Sequence, residues 1–378
     1  MFIKPEGAQL SEAQARELDD EYLAARPLGY FNARLAQLIA GAHQESALSD
    51  VNKTKFREKL GLSFAPSFLE VEDSDRTLQL AVDAFALRHH AAEALVRLYH
   101  AVSVAKPREG AAECLWLAVC DSPRSDTELT KSVRKAISVD SASGRFYELL
   151  IPRTLRPQGA ATENLGIAVQ NSGEWLERAI ELLEPGELNV NVAHNKVKHG
   201  LAFRARDDIR SSIVALQPGD GHSIIEADSG GQPTVRLSVL TGEGSAEVFT
   251  NPLVSFLSRP PKVNKLEQPL ELTSLDLDTE ALLAEAFFIA TIYGAIFHTA
   301  AVEHFGGREV EIAKFPTLPV GPSPKQLLNE RPVGLREPLT SPVDEQAFLR
   351  PMGIGGHGWF QKINIDHDSR VTAAISEG

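Results

Sequence analysis

Through most of the first 200 residues the apolar positions recur at helical spacing, and after that they collapse into short clusters. Ser11-Glu12-Ala13-Gln14 has the form of a capping box. Phe31, Leu35, Leu38 and Ile39 then make a stripe at helical spacing. The pattern predicts short helices up to residue 74 and a long helix from about Asp75 to Val104, stopped at Lys106-Pro107. Further helices are expected over Ala111 to Cys120, Thr127 to Ile137 and Glu163 to Leu183, the last broken by Glu184-Pro185-Gly186. Another should run from about Glu187 to Gly200, since glycine is a common residue just past a helix end.

Leu201 to Arg206, Ser212 to Leu216, Ser223 to Ala227, Thr234 to Leu240 and Ala246 to Leu257 are short and rich in Val, Ile, Leu and Phe. Gly-Asp-Gly, Ser-Gly-Gly and Gly-Glu-Gly separate several of them, which is the punctuation of hairpins. Asp278 opens a long apolar helix ending near Phe305-Gly306-Gly307, and eight of the 22 prolines follow it. The expected fold is mainly α, a helical bundle core with a small antiparallel β insertion, α+β overall, and an irregular Pro/Gly-rich tail. The expected segments are 1–74 (short helices), 75–206 (helical core), 207–275 (β unit), 276–307 (apolar helix on the core) and 308–378 (extended tail).

Composition narrows the class. A chain of 378 residues with 43% hydrophobic and 24% charged residues is globular, with about two domains as the expectation. Its two cysteines form no disulfide framework, which suggests a reducing compartment. The start, Met1-Phe2-Ile3-Lys4-Pro5-Glu6, lacks the basic and apolar regions of a secretion signal. Ala286 to Phe297 is apolar but 12 residues long, short of the about 20 that span a bilayer. A cytoplasmic location with no membrane partner is therefore expected. The formal charge of -13 opposes general coating of nucleic acid but permits a local basic site.

Two helices carry unusual chemistry. Leu78 to Val104, placed on an ideal helix, is apolar nearly all round, as a central helix is. A narrow polar stripe of Asp83, His90, Glu93 and Arg97 interrupts it, with His89 and His100 at its edge. The plain interpretation is an internal network in which Glu93 and Arg97 pair at i,i+4. In the second helix, Val190, Ala193 and Val197 make a core stripe, while Asn191, Asn195 and His199 recur on the opposite side, flanked by His194 and Lys198. Lys196, Lys198, Arg204, Arg206 and Arg210 outnumber Asp207 and Asp208, which predicts a phosphate contact at Lys196, Arg204 and Arg206. Basic residues in a last turn are also stabilised by the helix dipole alone.

The string Asn195-Lys196-Val197-Lys198-His199-Gly200, ending a helix of a helical protein, resembles the signature helix of HEPN-type domains. That family's motif is an Arg, often followed by Asn, with a His a few residues on. Here Asn195 and His199 match the Asn and His, and His194 stands at the Arg position. The resemblance covers about a third of the chain, from Asp75 to Arg206. It implies a dimerising helical bundle of bacterial defence or stress systems, cleaving RNA without metal or cofactor. In that reading His199 is general base or acid, a role suited to a group titrating near neutral pH. Lys198 or His194 stabilises the phosphorane charge in place of the Arg, and Glu93 or Asp83 supplies the acidic residue of an earlier helix.

Two other readings accompany it. One is a non-catalytic dimeric scaffold, joined through the apolar helix and binding a protein partner through the β unit or the tail. The other is a metal site, with His90 and Glu93 at i,i+3 and His194 and His199 as nitrogen ligands, although the repeated Glu-x-x-His pattern of such bundles is absent. No phosphate-binding Gly-Lys-Ser/Thr loop and no G-x-S-x-G elbow occurs. Gly353 to Gly358 is glycine-rich, but with no strand expected before it, it predicts no cofactor.

Overall fold

A computed structural model of the chain describes residues 9–42, 50–59, 61, 72–107, 109–123, 125–156, 163–199, 202–206, 211–215, 226–227, 233–234, 236–238, 244–249, 251–260, 266–328, 331–341, 350 and 352–362. The fold is mainly α with a small antiparallel sheet. The chain divides into two compact units, each assembled from three separate stretches. The first comprises Met1–Gln37, Ala86–Gly186 and Glu280–Leu327, and the second Leu38–Phe85, Glu187–Thr279 and Leu328–Gly378. This division does not follow the contiguous segments expected above.

In the first unit, α1 (Glu12–Leu23) starts where predicted: the Ser11 amide donates to Gln14 Oε1 at 2.9 Å and the Gln14 amide to Ser11 Oγ at 3.3 Å. Helix α2 (Pro27–Ala42) opens on proline, whose fixed φ and missing donor suit a first helical position. Phe31, Leu35 and Leu38 of its stripe are buried, while Ile39 is exposed. The long helix α4 (Asp73–Ser103) follows α3 (Asp50–Lys59) and runs through the division at Phe85. Helix α5 (Leu115–Cys120) is shorter than expected, because Asp19 of α1 accepts the Leu115 and Trp116 amides, both at 2.9 Å, and so sets its start. Helix α6 (Asp126–Ser143) outruns its prediction and stops at Gly144, which turns left-handed (φ 77°) into α7 (Arg145–Leu150). Helix α8 (Glu163–Leu183) matches its prediction.

Further along the chain come α9 (Val190–Lys198) and α10 (Thr279–Phe305). Helix α10 is the axis of the first unit. Tyr22 of α1 and Tyr293 of α10 stand edge-on to Phe297 and Phe31 respectively, and Trp175 of α8 stacks on Phe288 at 4.8 Å. A β-carbon at Gly294 would lie 2.7 Å from Leu28 Cδ2, so this close approach of α2 requires glycine. By length and composition α10 could cross a membrane, but 78% of its most apolar window is buried within the protein. That is the position of a core helix, as expected for 276–307. Beyond α10 the chain is irregular to Ser323, held to α8 by Trp175 Nε1 donating to the Pro322 carbonyl at 3.0 Å.

The second unit carries the sheet, in the order β1 (Arg204–Arg206), β7 (Leu253–Ser258), β8 (Glu271–Asp276), β9 (Pro332–Pro338), β10 (Gly353–Gly356), β11 (Trp359–Lys362). Between β1 and β7 lie β2 (Ser211–Ala215), β5 (Arg236–Ser238) and β6 (Gly244–Phe249), which form a separate three-stranded sheet, and the short pair β3 (Glu226–Ala227) and β4 (Pro233–Thr234). The tail is therefore irregular only in part. After α11 (Pro324–Leu328) it supplies half the main sheet, and the glycine-rich stretch is the paired strand β10. Glycine is needed there because a β-carbon at Gly353 would meet the Phe360 ring at 2.4 Å.

Candidate functional site

Helix α9 begins later than predicted, after Asn189 adopts a left-handed turn (φ 49°), and ends at His199. Ala193 is buried and Asn195 and His199 are exposed, as expected, but His194 is not where it was placed. His194, assigned beside the exposed row, is 4% exposed, with its ring 6.4 Å from Phe85. At that contact the lower end of α4 meets α9, as the two apolar stripes predict. His194 is 100° around from Ala193, which is fully buried, so both fall inside the apolar arc. The exposed side consists of Val192, Asn195, Lys198 and His199, with Lys196 half-buried. The His199 amide donates to the Asn195 carbonyl at 2.9 Å, which closes the last turn. Two residues of strand β1, Arg204 (exposed) and Arg206 (half-buried), share one face, being two apart. Gly200, Asp207, Asp208 and Arg210 lie outside the described residues.

The polar stripe of α4 is divided. Asp83 belongs to the second unit and is half-buried; His90, Glu93 and Arg97 belong to the first. Glu93 and Arg97 form the expected i,i+4 pair at 2.9 Å, and Arg97 also donates to Ser122 Oγ at 2.9 Å. His90 Nδ1 lies 3.3 Å from Arg34 of α2. His89 and His100, expected at the edge of the stripe, are instead buried. Burial and then the charge of Arg97 hold His100 below the usual histidine range. These contacts are those of a structural network.

The strongest electrostatic feature of α4 lies outside that stripe. Arg88 Nη1 donates to Glu285 Oε2 at 2.8 Å, and Arg178 Nε of α8 to Glu285 Oε1 at 2.7 Å, with Glu285 at 1% exposure. Burial alone would raise the Glu285 carboxyl, but the two guanidiniums outweigh it and hold it at about 2. The readable signal was Glu285 at the edge of the apolar run of α10 and an arginine of α4 outside its polar stripe.

A second constellation lies around a cavity of about 390 Å³ within the first unit. One face of α10 contributes Ile296, Thr299, Ala300, Glu303 and His304, and α7 contributes Arg145, Glu148 and Leu149. Asp19 and Leu23 of α1, Val102, Leu115 and Arg153 complete the lining. His304 Nε2 is 2.6 Å from Asp20 Oδ1, and Arg308 donates to both Asp20 oxygens at 2.8 and 2.9 Å. Hydrogen bonds from Arg308, ahead of the opposing effect of burial, hold Asp20 at about 2, so it is ionised and only accepts. Nε2 of His304 must then carry the proton of that bond. No periodicity or motif announced this site, because Asp20 and His304 are 284 positions apart.

Among the described residues no group of three or more His, Cys, Asp or Glu side chains is placed to hold a metal ion. No protein-family model matches the chain, and neither a curated protein nor a solved structure does.

Proposed function

We propose that the protein binds RNA through the exposed end of α9 and the start of β1, as a HEPN-like module that holds the strand without cleaving it. The observation that carries this is the exposure of Asn195, Lys198, His199 and Arg204 together with the burial of His194. Exposed ammonium and guanidinium groups on a chain of net charge -13 give a short-range phosphate contact that the whole-molecule field does not supply. Cleavage would need a cation beside the attacked phosphate. Of the two candidates, His194 packs against Phe85 and leaves only Lys198, a flexible exposed ammonium that binds phosphate without fixing it for attack, and Glu93 is engaged by Arg97. The amide and imidazole of Asn195 and His199 suit hydrogen bonds to phosphate or sugar.

The test is fluorescence anisotropy of single-stranded and hairpin RNAs across a salt series in EDTA. Lys198→Ala and Arg204→Ala should each weaken binding several-fold and lower the salt slope by about one. The RNA should be recovered whole. No binding at low salt, or binding indifferent to both substitutions, overturns the proposal. RNA cut by wild type and spared by His199→Ala would establish the catalytic reading in its place.

A further inference from the structure

From its walls and its charges, we infer that the cavity beside α10 binds a small zwitterion with an apolar body, of the class of an apolar dipeptide. Polar bonds made by four side chains, Asp19, Asp20, Thr299 and Arg145, hold its walls in place. Asp19 joins α1 to the start of α5, and Asp20 joins α1 to His304 and Arg308 at the end of α10. Thr299 Oγ1 donates to the Leu150 carbonyl at 3.2 Å, and Arg145 to the Val102 carbonyl at 3.1 Å. These ties fix the walls of a pocket that opens to solvent at the exposed Arg153 and Glu303.

The chemistry of the lining selects the ligand. Leu23, Leu115 and Ile296 give an apolar floor. The rim has both signs: Arg145 and Arg153 against Glu148 and Glu303, beside the Asp20-bound His304. Asp19 is committed to backbone amides and Glu148 lies 3.9 Å from Arg156. Among the described residues neither Arg153 nor Glu303 has an ion-pair partner, so each is available to a ligand. A simple anion would leave Glu303 opposed, and a simple cation would leave Arg153 opposed. A molecule with a carboxylate at one end, an ammonium at the other and an apolar middle satisfies both, within the size range of small-molecule sites.

The experiment is calorimetric titration of the full chain with leucyl-leucine, its N-acetyl derivative and its C-terminal amide. The free dipeptide should bind, and each blocked form should bind at least tenfold more weakly. Arg153→Gln should weaken the free dipeptide about tenfold while leaving the amide unchanged. Glu303→Gln should do the same with the acetylated form unchanged. Both side chains are exposed, so folding is preserved, as a melting curve checks. Equal binding of free and blocked forms, no heat from any of the three at millimolar concentration, or indifference to both substitutions overturns the inference. RNA binding by α9 is read separately, so neither result decides the other.

Discussion

Each unit contains a cluster of buried arginine and carboxylate, and the two are built to different standards. In the first, Arg88 and Glu285 are buried, Arg178 is nearly so and also reaches Glu181 at 3.4 Å, and each Glu285 oxygen has its own guanidinium. In the second, Arg336 is buried with its guanidinium 4.5 Å from the centre of the Phe360 ring, but its partner Glu187 has a side chain 54% exposed. Arg350 bridges Glu187 at 2.7 Å and the buried Glu271 at 3.5 Å. The shared carboxylate of the first cluster, Glu285, is shut away from water, whereas that of the second, Glu187, faces it. Burial of the charges that remain, more than the number of contacts, therefore sets the penalty for breaking each cluster.

The largest expected effect follows directly. Glu285→Gln removes the buried anion between Arg88 and Arg178 and should cost about 3–5 kcal/mol, measured by denaturant unfolding of the helical signal. A loss below about 1 kcal/mol would mean that water reaches the triad and that the contrast is false. Arg336→Gln removes the cation over Phe360 but lets Glu187 turn to solvent, so its cost should be smaller, about 1–3 kcal/mol. If this variant proves the more damaging of the two, the comparison is reversed.

The smallest expected effect is the most discriminating. Asp20 and Glu285, both held at about 2, bind protons less tightly folded than unfolded. Their contribution is complete above their unfolded pKa values of 3.8 and 4.5 and is lost as pH falls toward 2. In the second unit the shifts oppose one another. Burial raises Glu271, so protonation from above favours the folded form, while Arg336 and Arg350 outweigh burial and lower Glu187. Acid should therefore loosen the first unit before the second. Trp116 and Trp175 lie in the first and Trp359 in the second, so fluorotryptophan labelling gives a resonance for each. The Trp175 signal should lose its native shift roughly half a pH unit above that of Trp359. Coincident or inverted midpoints would remove the distinction.

The helices with strong periodicity, α4, α8 and α10, were legible to within a few residues, since a long apolar face or circumference leaves few alternatives. Strands β8 to β11 were not: Glu271–Asp276 lay at the end of the expected β unit with no strand assigned to it, and β9 to β11 fell in the expected extended tail. Their pairing is made by partners far along the chain, Leu275 with Gly334 and Gly355 with Phe360 among them. In the candidate site, the exposed Lys198 and His199 were legible as polar positions beside an apolar stripe. His194 was misassigned because a histidine is compatible with either side of a helix, and Phe85 decided the matter.

By itself, then, the sequence determined where the long helices lie and that α10 belongs to a core, because those follow from periodicity within one segment. Only the tertiary structure decided that both units are assembled from three separated stretches, that Arg88, Arg178 and Glu285 share one charge cluster, and that His304, held by Asp20, lines a cavity. Each is a meeting of residues distant in the chain. Such meetings are set by close packing of whole elements, where a buried charge survives only beside its partner, and no local pattern encodes which partner that is.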